Sequence, residues 1–341
     1  MPSVSARSHS VTVENKDVAL LKSATIGRGA ISDIAVAGGT LAVTHFAEDS
    51  VALLDADTLA PHRSTAVGQP TAVALGDGRA HVAVSSASYD AIAVVDTASG
   101  DVLREYPLAF TVTAITASAD GKRLYAARAG ETGVDVAVID LTAERVGTIY
   151  VAKGEDAVID ALRLDASGRR LYVAVSDARG SRLLTVDVES ARVRRTLEIG
   201  APIRGLELGM DSIAYVLTSD IAEGGVLYFV DLVKNEIVDL AQVAQTPTQL
   251  AIGPDGTRAY VVDYDHVAVV DTEERAVVAE VSVGARPSAV ATHGDRLYVA
   301  DYDGGVTTYA VASPSPMLYS QFENAPSLVV PARRELQPLG V

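Results

Sequence analysis

Between Val18 and Val311 apolar and polar residues alternate with a period of two over short stretches. That period belongs to half-buried β-strands, not to helices. One six-residue phrase organises the alternation: ISDIAV from Ile31, PTAVAL from Pro70, VTAITA from Val112, IDALRL from Ile159, IRGLEL from Ile203, PTQLAI from Pro247 and PSAVAT from Pro287. Successive phrases start 39 to 47 residues apart, and a four-stranded propeller blade occupies roughly 40 to 50 residues. Seven phrases therefore predict seven blades. The sixth unit shows the plan most clearly. PTQLAI runs through the turn GPDGTR into RAYVVDYD, HVAVVD follows, and DTEERA turns the chain into VVAEVSV. Short β-branched runs joined by Gly and Asp turns make antiparallel sheet and poor helix.

The seventh unit supplies only three strands before SPSP at Ser313 to Pro316 interrupts the pattern, while VALLKSATIG, Val18 to Gly27, resembles the outer strands VVAEVSVG and VRRTLEIG. Pairing this segment with blade seven would close the ring and leave no open sheet edge between the first and last blades. The reading is thus an all-β chain: a seven-bladed β-propeller of four-stranded antiparallel blades. Residues 1–17 form an N-terminal extension, 18–312 the propeller with 18–27 as the closing strand, and 313–341 a proline-rich tail. The tail has prolines at 314, 316, 326, 331 and 338 among apolar residues such as Met317, Phe322 and Val329. It is expected to be extended, and to lie across the propeller or carry a partner-binding motif.

The stretch GPDGTRAYVVDYDHVAVVDTEERAVVAEVSVGARPSAVA resembles the YVTN family of β-propeller repeats, and the resemblance covers nearly the whole chain. Its features are a DG-type turn, R-x-Y-V, a V-x-V-x-D strand end and V-G before a small residue or proline. The signature itself is degenerate, appearing as YVVD at Tyr260 and YVAD at Tyr298. Propellers of the WD-dipeptide type fit less well, because the chain has no Trp. The resemblance implies a fold and no shared active site. Seven-bladed lactonases have the same architecture, so a lactonase-like hydrolase, drawing an acid or base from His45, Arg128, Arg204, Asp263 and Asp301, is the alternative functional reading.

Charge narrows the partners. With 28 Lys and Arg against 44 Asp and Glu, the net charge is −16, which disfavours nucleic acid and anionic membrane surfaces. The absence of cysteine removes disulfides and thiolate sites. MPSVSARSHSVTVENKD at the N-terminus lacks the apolar centre of a signal peptide, and no run reaches the roughly 20 apolar residues of a membrane helix. A cytoplasmic monomer is expected.

Two repeated slots read as structural. Asp55, Asp96, Asp140, Asp187, Asp231 and Asp271 end the third strands, where a carboxylate can accept turn amides. Tyr125, Tyr172, Tyr260 and Tyr298 share a second-strand slot suited to packing between blades. Two others sample the face where propellers bind. The second residue of each phrase gives Ser32, Thr71, Thr113, Asp160, Arg204, Thr248 and Ser288, a polar ring at the channel mouth in which Asp160 and Arg204 could pair. The last residue of the second strand gives His45, Val84, Arg128, Val175, Thr218, Asp263 and Asp301. Ring closure would bring His45, Asp263 and Asp301 together, with Asp265 and Asp303 behind them in two DYD motifs. Such a cluster could hold a divalent cation or dock a basic partner. It lacks the spacing and glycine of an EF-hand loop, so the expectation is no cofactor, with a divalent cation on His45, Asp263 and Asp301 as the secondary reading. No nucleophile elbow, H-E-x-x-H or phosphate loop occurs. The leading functional expectation is a non-enzymatic scaffold for another protein, a basic segment or a component of a membrane-associated assembly. A propeller that binds a small ligand or metal at the channel mouth is the further alternative.

Overall fold

Each phrase opens the innermost strand of a four-stranded antiparallel sheet, and consecutive strands of each unit are neighbours in that sheet. The inner strands are Ile31–Ala37, Gln69–Gly76, Thr111–Ala117, Val158–Leu164, Ile203–Leu208, Gln249–Ile252 and Pro287–His293. In this computed structural model residues 18–85, 89–210 and 212–311 are described. The expectations for residues 1–17 and for the tail lie outside the described residues. Inner strands of successive blades contact one another, and that of blade seven contacts that of blade one. The ring is closed.

Closure uses the N-terminal strand, as expected. Val18–Thr25 is the outer strand of blade seven, antiparallel to Gly305–Val311, with Val18 opposite Val311 and Thr25 opposite Gly305. The Ile26 amide extends the seam by donating to the Gly304 carbonyl at 2.8 Å. Gly304 has φ +92°, and a Cβ there would sit 2.4 Å from the Gly27 carbonyl oxygen. Only glycine meets both demands.

The core lies between blades. Ile34, Leu41 and Leu54 of blade one pack with Tyr298, Ala300 and Val306 of blade seven, so closure joins apolar surface as well as backbone. Tyr125, Tyr172, Tyr260 and Tyr298 are all buried, as a packing role requires. Tyr215 fills the same slot in blade five, edge-on to Phe229 at 5.4 Å. His81 takes the slot in blade two; it is fully buried, with no hydrogen-bond partner for either ring nitrogen among the described residues. Burial, with Arg79 adding to it, pushes its pKa down to about 4.

The six third-strand aspartates behave as turn anchors. Asp55 accepts from the Thr58 amide, Asp96 from Ser99, Asp140 from Ala143, Asp187 from Ser190, Asp231 from Lys234 and Asp271 from Glu274, at 2.7 to 2.8 Å. A second regularity was not foreseen. In every blade except the sixth, the pairing register shifts between the first and third residues of the phrase. A bulge at the second residue re-aims the side chains around it, so the sequence alternation alone does not say which of them reach the channel.

Candidate functional site

Each inner strand forms an edge of its sheet, and around the axis these edges enclose a cavity of about 590 Å³ lined by residues of all seven. The third and fifth residues of the phrase are mostly small: Ala72, Ala114, Ala161, Gly205 and Ala289 at one level, Ala35, Ala74, Ala251 and Ala291 at the other. Their smallness makes the space. Against this background stand three charged side chains, Asp33, Arg163 and Glu207, that sequence reasoning passed over. The signal was available, since each interrupts a slot otherwise filled by Ala, Gly, Thr or Gln.

Arg163 and Glu207, on blades four and five, form a two-pronged ion pair with Nε to Oε2 at 3.0 Å and Nη2 to Oε1 at 2.5 Å. Arg163 Nη1 also donates to the Leu162 carbonyl at 2.8 Å. Asp33 lies on blade one, which in a ring of seven faces the boundary of blades four and five. Its Oδ1 accepts from the Ile34 amide and its Oδ2 from the Val73 amide of blade two, both at 2.9 Å. The second bond ties adjacent blades at the free edge. Gln249 does the same in blade six, accepting from the Val290 amide at 3.1 Å. Burial raises the Asp33 pKa to about 6; the two amides and Arg163 oppose the rise and Glu207 adds to it. Asp33 is enclosed by protein yet retains accessible surface, as a side chain bordering an internal cavity should.

At the mouth the polar ring is only partly available. Ser32 and Thr113 donate their hydroxyls to the carbonyls of Pro70 and Ile159 in the next blade, both at 2.8 Å, and so serve as inter-blade ties. Asp160 and Arg204, which could pair across adjacent blades, are not joined by an ion pair within 4.0 Å. Asp160 instead accepts from the Ser176 hydroxyl at 2.6 Å, while Arg204 is exposed. Burial raises the Asp160 pKa, with Ser176 and Arg204 opposing.

The seam residues are likewise placed by local needs. His45 is 1% exposed, and neither ring nitrogen has a partner among the described residues. Its ring lies against Gly27, where a Cβ would approach Cε1 to 2.6 Å. Burial lowers its pKa, with Glu48 opposing. Asp263 is buried and accepts from the amides of Gln245 at 2.9 Å and Thr246 at 2.8 Å, holding the connection into its own blade. Burial pushes its carboxyl upward, but these amides outweigh it and the pKa is lowered. Asp301 accepts from the amides of Asp303 at 2.9 Å and Gly305 at 2.7 Å, closing its hairpin. Arg128 pairs with Asp135 at 2.7 Å inside blade three. Among the described residues no group of three His, Asp or Glu side chains is arranged to hold a metal. His45, Asp263 and Asp301 are thus not assembled into the expected cluster, because each carboxylate turns back to its own backbone.

The loops of blades six and seven present something else. Arg286, in the connection into blade seven, stacks between the tyrosines of the two DYD motifs, 4.3 Å from the Tyr264 ring centre and 5.0 Å from that of Tyr302. Both tyrosines are exposed, at 59% and 42%. Asp265 stands in the open beside them, bonded to His266 Nδ1 at 2.8 Å, and Asp303 is exposed in the neighbouring loop. The sequence reading weighed these motifs for their acids and overlooked the aromatic residue between them.

Searched against protein-family models, the chain matches none. It is 30% identical over 330 residues to the seven-bladed beta-propeller protein Rv1057 of Mycobacterium tuberculosis, covering 84% of this chain and 83% of that protein. It is 50% identical over 250 residues to a seven-bladed beta-propeller protein of Mycolicibacterium smegmatis, covering 72% and 68% respectively. Among solved structures it is similar to Kuenenia stuttgartiensis hydrazine synthase, with a TM-score of 0.75 at 19% identity over 85% of this chain and 97% of that one. The β-propeller domain of Myceliophteria thermophila Cps50 (Swd1) gives a TM-score of 0.72 at 14% identity over 86% and 100%. These two likenesses speak to the fold alone. The blade count, the closed ring and the two mycobacterial relatives agree, and the chain belongs to the family of seven-bladed β-propeller proteins.

Proposed function

We propose that the chain is a non-enzymatic scaffold that binds another protein through the loops of blades six and seven, and that a basic segment is the partner this face fits. The YVTN character of the repeats and a cytoplasmic place beside a larger or membrane-associated assembly belong to the same reading. Among the described residues no helix is long and apolar enough to cross a membrane.

The observation that carries the proposal is the exposed Tyr264, Arg286 and Tyr302 ladder. Tyr and Arg are among the residue types that concentrate binding energy at interfaces, and Tyr brings much contact area with few rotors to freeze. Rings held by stacking on an arginine are already ordered, so little further entropy is lost on binding. Their outer faces can attract a partner cation, and Asp265 and Asp303 supply complementary charge. A hydrolase reading draws less support, because Asp263, Asp301 and Arg128, three of the five residues it would draw on, are held by other groups of the fold.

The test measures binding of a protein partner to the native chain and to two double variants. Tyr264→Ala with Tyr302→Ala is expected to weaken binding by about 2 kcal/mol or more, roughly thirtyfold. Asp265→Asn with Asp303→Asn is expected to slow association and flatten its dependence on salt. A partner held equally well by both variants would refute this face.

A further inference from the structure

Among the described residues two carboxylates bordering the axial cavity have no counter-ion within 4.0 Å: Asp160, which accepts from the Ser176 hydroxyl, and Asp33, which accepts only backbone amides. Arg163 and Glu207 neutralise each other, and among the described residues no cation lies within 4.0 Å of Asp33 across from them. Apart from Arg163, Glu207, Gln249 and Thr116, the neighbours of Asp33 around the axis at both levels are alanine and glycine. Neither Asp33 oxygen is saturated: each accepts one backbone amide and a carboxylate oxygen can accept two bonds. The two amides also fix the carboxylate in place.

We propose that the axial cavity is a binding site for a small organic cation, a primary ammonium or guanidinium with a short apolar body, whose charge is met by Asp33. The cation's N–H groups would reach the free lone pairs of Asp33, and its carbon chain would fill the space left by Ala35, Ala72 and Ala74. Buried charge is tolerated when paired and hydrogen-bonded, and here the ligand completes a pair of which the protein supplies one half. The site is independent of the loop face of blades six and seven, so either could stand without the other.

Binding should depend on pH through Asp33. The other charged groups bordering the cavity are Asp160 and Arg163 on the inner strand of blade four and Arg204 and Glu207 on that of blade five; the inner strands of the other blades bring none. With its carboxyl titrating at about 6, Asp33 is ionised to about nine-tenths at pH 7 and about one-tenth at pH 5, so the apparent affinity should fall roughly tenfold between them.

The experiment is calorimetric titration of the full chain with propylammonium and methylguanidinium, with propan-1-ol as the uncharged control. Expected are saturable one-to-one binding of at least one cation, none of the alcohol, the tenfold loss at pH 5, and binding at least tenfold weaker and independent of pH in Asp33→Asn. That variant keeps one oxygen to accept a backbone amide, while its NH2 group faces the other amide donor, so one of the two bonds is lost with the charge. If it fails to fold, the native chain still decides: the cation should shift the NMR signals of the Val73 and Ile34 amides, the two donors to Asp33. The proposal is overturned if no cation binds saturably, if the amides do not respond, if Asp33→Asn binds equally well, or if Asp160→Asn alone abolishes binding.

Discussion

His81 occupies a slot that tyrosine fills in blades three to seven, and its buried, unpartnered ring makes it an acid-sensitive element. Its folded pKa, about 4 against 6.5 unfolded, means that the fold resists its protonation. Stability is therefore retained above pH 6.5 and lost as the pH falls toward 4, by up to about 3 kcal/mol. Asp33 works in the opposite sense. Its folded pKa of about 6 lies above the ordinary 3.8, so the fold binds a proton that the unfolded chain has released. Stability is lost as the pH rises from about 4 through 6, again by up to about 3 kcal/mol. The two windows overlap and offset each other in the native chain. Chemical denaturation at pH 4.5, 6 and 7.5 should therefore show His81→Tyr more acid-resistant than the native protein and Asp33→Asn more acid-sensitive. Parallel profiles in all three proteins would contradict these environments.

The strands and their closure were legible because period-two alternation and turn residues are local signals that repeat seven times over. Tyr125 and its equivalents could be assigned to packing for the same reason. The binding chemistry was not legible in the same way. Whether Asp263 faces a ligand or its own backbone depends on the direction of the Gln245 and Thr246 amides, and the bulge at the second phrase residue resets which side chains meet the channel. Asp33, Arg163 and Glu207 stood out only once the alanines around them were known to enclose a cavity. The closing strand carries its own expectation. Removing residues 18–27 exposes both the Gly305–Val311 edge and the apolar contact between blades one and seven, so the truncated chain should unfold or aggregate. A sharp, unshifted melting transition would refute closure by this strand. Gly304→Ala combines an unfavourable φ with a clash against Gly27 and should lower stability by about 2 kcal/mol or more in urea unfolding.

At the scale of the molecule the fold divides its polar groups between two tasks. Turn aspartates, hydroxyl ties and the Arg128 to Asp135 pair hold blades and turns together, while exposed groups on the loop face of blades six and seven are left to the proposed partner. A chain of net charge −16 attracts basic surfaces at long range, and such attraction weakens with salt. The stacked ladder would then fix where a partner settles. Site-specific photo-crosslinking in the native cell tests this most directly. A photoreactive residue at Tyr302 or Tyr264, compared with one at Leu103 on the outer strand of blade two, should yield a discrete adduct with a protein whose crosslinked segment is rich in Lys and Arg. Adducts equal at all three positions, or found only at Leu103, would contradict the assignment of this face as the interaction surface.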